Sequence, residues 1–313
     1  VIASREQSAD GHLLRKRMEA CGVNVMQGTP ASWRLLLESG WEGSADFKAL
    51  VGGEALPVEL AQGLLERVGS LWNLYGPTET TVWSTVYRVR EPERIRIGHP
   101  VCNTQVYVLD EQRQMVPVGV AGELYIGGAG LACGYRGSAE LSAERFVANP
   151  CGTGRVYRTG DRVRWCSDGM LEYLGRLDRQ VKIRGYRIEL GEVEAALEAL
   201  EAVRECAAAV HEVGVGDKRL VAYVVAAGQE PVSAVALRKA LRATLPGYMV
   251  PQHVVELEDL PRTPNGKVDR NALLMPEGLS GPRASHEAPR SASERQVAAI
   301  WTELIGTGQP LGL

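Results

Sequence analysis

Paired cysteines are missing from this sequence. Its six cysteines (Cys21, Cys102, Cys133, Cys151, Cys166 and Cys206) are scattered, and no two form a Cys-x-x-Cys spacing. That argues against a structural zinc site and a disulfide framework, and a reducing cytoplasm is the expected setting. The five histidines show no metal-ligand spacing either. No segment reaches the roughly 18 apolar residues of a membrane span, so no membrane partner is expected. The formal charge of -3 gives no global electrostatic reason to expect nucleic acid. Phenylalanine is scarce, two residues against ten Tyr and six Trp, an imbalance that excludes nothing alone. The opening Val1-Ile2-Ala3-Ser4-Arg5 is neither a signal peptide nor an initiator start. It reads as the cut edge of a longer chain.

What is present is ordinary globular material, 45% hydrophobic and 23% charged, with 313 residues giving room for two domains or a domain plus pieces of neighbours. Residues 1–175 read as α/β at first and strand-rich later. A helix over 10–21 stops at Gly22 and leads to a strand at 23–26. Thr29-Pro30 then supplies an N-cap and a first-turn proline for a helix with Trp33, Leu36 and Leu37 on one face. A Gly-rich turn at 51–54 precedes a helix over 58–68. From about Gln105, short strands at 105–109, 123–126, 162–165 and 171–174 alternate with Gly, Pro and Asp-Gly turns.

Residues 176–275 read as a small α+β unit, with helices at 191–202 and 233–244 and strands at 206–213, 220–226 and 252–257. Residues 276–292 have linker composition. A capping box from Ser293 to Gln296 then opens an amphipathic helix within 293–313, carrying Val297, Ile300, Trp301, Leu304 and Ile305.

The most informative stretch is GRLDRQVKIRGYRIELGEVE at 175–194. Arg176, Arg179, Lys182, Arg184 and Arg187 are interleaved with single apolar residues, and Gln180 adds a neutral donor. Alternation over 181–184 predicts a half-buried strand with its cations on one face, followed by a turn at Gly185 and an acid-rich helix start. Taken alone, this is a solvated cationic face. NLYGPTETT (73–81) bends sharply and offers a ring, hydroxyls and one carboxylate, or is a plain surface turn. GELYIGGAGLACGY (122–135) lacks the Lys-Ser/Thr partner of a phosphate loop, so its glycines read as turns and close backbone approach. The carboxylate of YRTGD (157–161) either accepts from ribose hydroxyls or caps a turn. In PRTPNGKVDR (261–270), Asn265-Gly266 signals a hairpin, with Lys267 solvated beyond it as the plain reading.

In this order, and with LPGYMVP at 245–251, these strings resemble the motifs of nonribosomal peptide synthetase adenylation domains. Those domains belong to the adenylate-forming family that includes acyl-CoA ligases and luciferases. The resemblance covers about 1–275, and the tail resembles the first helix of a peptidyl-carrier domain. It implies the C-terminal part of a large AMP-binding domain (1–175), a mobile lid (176–275), a linker (276–292) and a truncated carrier (293–313). Cys133 departs from the Arg usual in its motif. The family's upstream phosphate loop and amino-group Asp would precede Val1, and the carrier Ser would follow Leu313. The piece alone is therefore expected to be inactive.

The implied chemistry is ATP-dependent activation of an amino acid as aminoacyl-AMP. Transfer to the phosphopantetheine thiol of a carrier domain in cis follows, within a set of neighbouring synthetase domains. By resemblance, Glu79 helps hold Mg2+, Thr78 donates to the α-phosphate and Tyr75 stacks on adenine. Asp161 accepts from the ribose hydroxyls, supported by Arg176, and Asp178 is the hinge. Lys267 bridges carboxylate and phosphate in the first step; Lys182 faces the site in the second. The family's side-chain pocket maps to Gln27 (or its neighbour Gly28), Leu50, Gly52, Leu74, Val82 and Trp83. None is charged and Trp83 is bulky, which implies glycine, with alanine as competitor. Two alternatives stand beside this reading. An acyl-CoA ligase is opposed by the wording of RIELGEVE and PNGKVDR and by the carrier-like helix. A non-catalytic nucleotide-binding remnant is opposed by the joint presence of Glu79, Asp161, Lys182 and Lys267.

Overall fold

The computed structural model describes residues 1–275 except 215–216, 229–231 and 264–265, together with six positions between 291 and 300. Its first layer comprises α1 (Arg5–Ala9), α2 (Gly11–Ala20), β1 (Val25–Gly28), α3 (Pro30–Glu38), β2 (Ser44–Gly52), α4 (Val58–Leu65), β3 (Val68–Tyr75), β4 (Thr85–Val89) and β5 (His99–Pro100). The strands form one sheet in the order β1-β2-β3-β4-β5, parallel from β1 to β3 and antiparallel beyond. Thr29 caps α3 by accepting from the Ser32 N–H, with Pro30 at the first helical position, as its sequence predicts.

Strand alternation gives this sheet two different faces. Ala49, Val51 and Leu71 are fully buried with Trp33 and Leu36, beneath the helices. The register pairs Gln27 with Leu50 and Gly52 with Leu74, so these four share the opposite face. Three expectations shift here. β1 begins two residues later than predicted, and Val51-Gly52 end a strand rather than opening a turn. The helix at 58–68 stops at Leu65, because Leu60, Ala61 and Leu64 complete its buried face and Val68 starts β3 beside Ser44.

The second sheet is β10-β9-β7-β6, built from β6 (Thr104–Leu109), β7 (Ala121–Gly128), β9 (Arg155–Trp165) and β10 (Leu171–Arg176). α5 (Ala139–Arg145) leads into β8 (Phe146–Ala148), which pairs with β9. Arg176, expected to open the lid, is instead the last residue of β10 and lies opposite Asp161. The pairing extends the first unit through it, and the connection to the small unit follows.

The small unit opens with the hairpin β11 (Val181–Ile183) and β12 (Tyr186–Ile188). α6 (Leu190–Glu198), β13 (Val203–Gly214), β14 (Asp217–Ala226), α7 (Ala234–Thr244) and β15 (His253–Glu256) follow. β13 and β14 are antiparallel, and β15 adds parallel to β14. Val193 and Leu197 of α6 and Leu237 and Leu241 of α7 cover one sheet face; Leu260 and Leu273 cover the other. α6 ends four residues before the predicted 202, in a turn where Leu200 N–H reaches the Leu197 carbonyl. The architecture is α/β, then strand-rich, then a small α+β unit.

In the tail, Ser291 forms the capping box, in place of Ser293: its Oγ accepts from Glu294 N–H, and its own N–H donates to Glu294 Oε2. Residues 293, 294, 296, 297 and 300 are helical. Of the linker expected at 276–292, residues 276–290 and 292 lie outside the described residues, as do the predicted apolar positions Trp301, Leu304 and Ile305. Among the described residues, no helix is long and apolar enough to cross a membrane.

Candidate active site

The small unit sits over the C-terminal end of β3, and a cavity of about 540 Å³ lies at the junction. Its walls include Glu54, Leu74, Tyr75 and Tyr173 from the first unit, Arg176 at the connection, and Lys182 from the lid hairpin. The hairpin tip is held by backbone as well as side chains. Gly185 N–H donates to the Glu54 carboxylate, and a Cβ at Gly185 would lie 2.9 Å from Thr29 Cγ2. With φ at +81°, Gly185 fits a turn that other residues would strain.

One half of the site is a charged chain along β9 and β10. Asp161 is buried; its Oδ2 accepts from the Tyr75 hydroxyl at 2.5 Å and its Oδ1 from Arg176 Nη1 at 2.9 Å. Arg176 also grips Asp178 through two bonds of 2.6 Å, and donates to the Thr159 carbonyl at 3.1 Å. Burial opposes the Arg176 charge, but the Asp178 and Asp161 carboxylates more than offset it and its pKa is raised. Burial likewise works against the Asp178 charge, yet Arg176 holds its carboxyl below the usual range. Tyr75 is kept in its phenol form by burial and by the neighbouring Asp161. One arginine thus ties the expected ribose acceptor to the expected hinge.

The other half is centred on Glu79, in the short 3-10 turn at Thr78–Thr80. Thr78 is exposed and Glu79 is buried. Glu79 Oε1 accepts from the hydroxyls of Tyr135 and Tyr157 at 2.6 and 2.8 Å. Arg187 of β12 reaches across the junction, with Nη1 at 3.0 and 2.9 Å from the two carboxylate oxygens and Nη2 donating to the Tyr157 hydroxyl at 3.1 Å. Burial pushes the Glu79 pKa up, but Arg187 and the two tyrosine donors outweigh it and the carboxyl lies below its ordinary range. Tyr135, Tyr157 and Arg187 carry no role in the sequence reading. Each lies inside a quoted motif, and only the fold brings them to one carboxylate.

Among the described residues, no three His, Cys, Asp or Glu side chains gather into a metal-binding group. A lone buried carboxylate suits Mg2+, a hard cation that takes few protein ligands and draws the rest from phosphate and water. Glu79 meets that requirement when Arg187 is not on it.

The two candidate lysines stand apart. Lys182 Nζ lies 5.8 Å from the centroid of the Tyr75 ring, and burial pushes its pKa down against the opposing pull of Asp161. Lys267 is exposed on a small-unit hairpin, where Arg262 bridges Val268 and Thr263 N–H donates to the Lys267 carbonyl at 2.7 Å. It does not line the cavity.

Four of the six positions expected to line the side-chain pocket share the sheet face opposite the helices, as the register requires. Gly28 pairs with Val51 and is buried toward the core side, so Gln27 is the position on the shared face. Trp83 folds back onto this face: a Cβ on Gly52 would lie 2.3 Å from Trp83 Cη2 and 2.8 Å from the Leu74 carbonyl oxygen. The reversal runs through Thr81 and Val82, with φ of 61° and 68°. A β-branched residue is rarely found there. Val82 is 56% exposed, so it does not wall an enclosed space here.

An AMP-binding enzyme model matches residues 1–136, and the model of the AMP-binding enzyme C-terminal domain matches 192–267. A dimodular nonribosomal peptide synthase of Bacillus subtilis is 47% identical over 310 residues, 98% of this chain and 13% of the relative. Tyrocidine synthase 3 of Brevibacillus parabrevis is 43% identical over 322 residues, 100% of this chain and 5% of the relative. The chain therefore spans a small part of the curated relatives it matches. A solved four-domain nonribosomal peptide synthetase, bound to AMP and glycine, is 44% identical with a TM-score of 0.56, over 99% of this chain and 23% of that one. A synthetase protein containing adenylation and carrier domains, solved with a vinylsulfonamide inhibitor, is 32% identical with a TM-score of 0.73, over 97% of this chain and 51% of that one. With both halves of the fold matched in order around the junction cavity, this chain belongs to the adenylate-forming, AMP-binding enzyme family, in its nonribosomal peptide synthetase branch.

Proposed function

We propose that this chain is part of an amino-acid adenylation module. The module activates an amino acid as aminoacyl-AMP and passes it to the phosphopantetheine thiol of a carrier domain. The observation that supports this most is the junction cavity, where Tyr75, Arg176 and Lys182 meet beside Asp161. Both reactants of the first step are anionic, so the protein's work is positioning and neutralising charge. In this reading Asp161 holds the ribose hydroxyls, Arg176 fixes Asp161 and Tyr75 packs on adenine. Thr78, exposed beside Glu79, donates to the α-phosphate. Mg2+ held by Glu79 supplies neutralisation of the ATP phosphates. Lys267 is the cation of adenylate formation. Its distance from the cavity, with Lys182 present there, supports reading this lid orientation as that of the transfer step, with Asp178 as the hinge between the two.

For the amino acid we propose glycine, with alanine as the competitor. The indole of Trp83 lies against Gly52 and occupies the sheet face where a larger side chain would sit. The solved relative bound to AMP and glycine, at 44% identity, is consistent with this. ATP–pyrophosphate exchange by the complete module across an amino-acid panel tests the proposal. Glycine should give the highest rate and alanine the next. Strong exchange with an aromatic or charged amino acid, and none with glycine, refutes it.

A further inference from the structure

Arg187 and a divalent cation ask for the same two oxygens. The guanidinium lies 3.0 and 2.9 Å from Glu79 Oε1 and Oε2, and its second amino group donates to the Tyr157 hydroxyl. Tyr135 and Tyr157 also donate to Oε1, so Oε1 has three donors, Oε2 has Arg187 alone, and Arg187 balances the charge. Mg2+ binds carboxylate oxygen at about 2.0–2.1 Å. An ion at that distance would share the approach to Glu79 with a guanidinium nitrogen and repel it at short range. Arg187 belongs to β12 of the lid, whereas Glu79, Tyr135 and Tyr157 belong to the first unit. The lid therefore carries its own cation onto this carboxylate, together with Lys182 into the cavity.

We propose that Arg187 is a positioning residue that serves as the counter-ion of Glu79 in this lid orientation, so that the orientation and a divalent cation on Glu79 exclude each other. The inference rests on the reading of Glu79 as the Mg2+ ligand. It gives the two half-reactions an internal order. A cation on Glu79 disfavours this lid orientation, and loss of the cation exposes a buried carboxylate that Arg187 then satisfies. A buried carboxylate without either partner is costly, so the exchange ties lid position to metal occupancy.

The test uses the complete module with one dye on the first unit and one on the lid, held at saturating non-hydrolysable ATP analogue while Mg2+ is titrated. Energy transfer reports lid orientation, independent of turnover. The wild type should leave the present orientation as Mg2+ rises. In Arg187→Gln that orientation should be less populated without Mg2+, and the half-point should fall about ten-fold, because a competing state no longer reduces the binding-competent fraction. Arg187→Lys, which keeps the charge but not the two-pronged geometry, should lie between them. An Arg187→Gln half-point equal to wild type, with Glu79→Gln unresponsive, overturns the counter-ion role and leaves Glu79 as the metal ligand. A Glu79→Gln module that titrates like wild type overturns the metal assignment itself.

Discussion

Replacing Arg176 by Met should destabilise the first unit more than any exposed arginine change. The Arg176 side chain is 10% exposed and its partner Asp161 5%, whereas Asp178 is 29% exposed. Removing the guanidinium breaks four hydrogen bonds, to Asp161, twice to Asp178, and to the Thr159 carbonyl. Water can reach Asp178, so its loss is partly recovered. Asp161, far less exposed, loses a charged donor and keeps the Tyr75 hydroxyl on its other oxygen. Breaking a buried pair by deleting one partner costs about 3–5 kcal/mol, and recovery at Asp178 places the net near 3 kcal/mol. For a unit of this size that is a fall in Tm of roughly 6–12 °C. Differential scanning calorimetry of the complete module, following the transition that nucleotide raises, measures it. Arg179→Met is the control, since Arg179 is 53% exposed in its pair with Glu194 and should cost under about 1 kcal/mol. Equal shifts for the two variants would refute the view of Arg176 as a buried hub.

Three further outcomes follow from the same geometry. Gly52→Ala should lower stability by about 1–3 kcal/mol, because its Cβ meets both the indole and the Leu74 carbonyl; adding Trp83→Leu should recover part of that loss, measured in a double-mutant cycle. Trp83→Ala should widen the pocket and raise exchange with larger apolar amino acids by about 10- to 200-fold relative to glycine, read in competition assays. Glu79 has a folded pKa below its unfolded value of about 4.3, so its contribution is complete above that value and is lost as the pH falls through the folded one. Lid docking, followed by energy transfer below about pH 4, should weaken, and Glu79→Gln should flatten that dependence.

The sequence was most legible where local chemistry decides. The Thr29-Pro30 start appears as its residues predict, whereas the strand expected over 181–184 covers Val181–Ile183 and Arg184 enters the turn at φ 52°. It was least legible in β2 and β3. Ala49-Leu50-Val51 is buried on one side and faces the site on the other, so it gives no clean alternation beside its glycines. At the expected lid boundary, strand pairing continues through Arg176, a partnership with Asp161 that no local pattern announces. Within the site, each motif was readable and its partner was not. Arg187 and Glu79 lie 108 positions apart, and nothing local in RIELGEVE or NLYGPTETT says that one closes on the other. The Gly52–Trp83 contact depends likewise on two left-handed residues in succession, at Thr81 and Val82.

The central claim is that the two lysines serve different steps, with Lys182 in place here and Lys267 away. Single-turnover assays of the complete module, scoring adenylate formation and transfer from supplied aminoacyl-adenylate separately, test it most directly. Lys267→Ala should slow adenylate formation by on the order of 100- to 1000-fold while transfer survives, and Lys182→Ala should spare adenylation and slow transfer. Loss of the same step in both variants, or adenylation lost only in Lys182→Ala, would contradict the account.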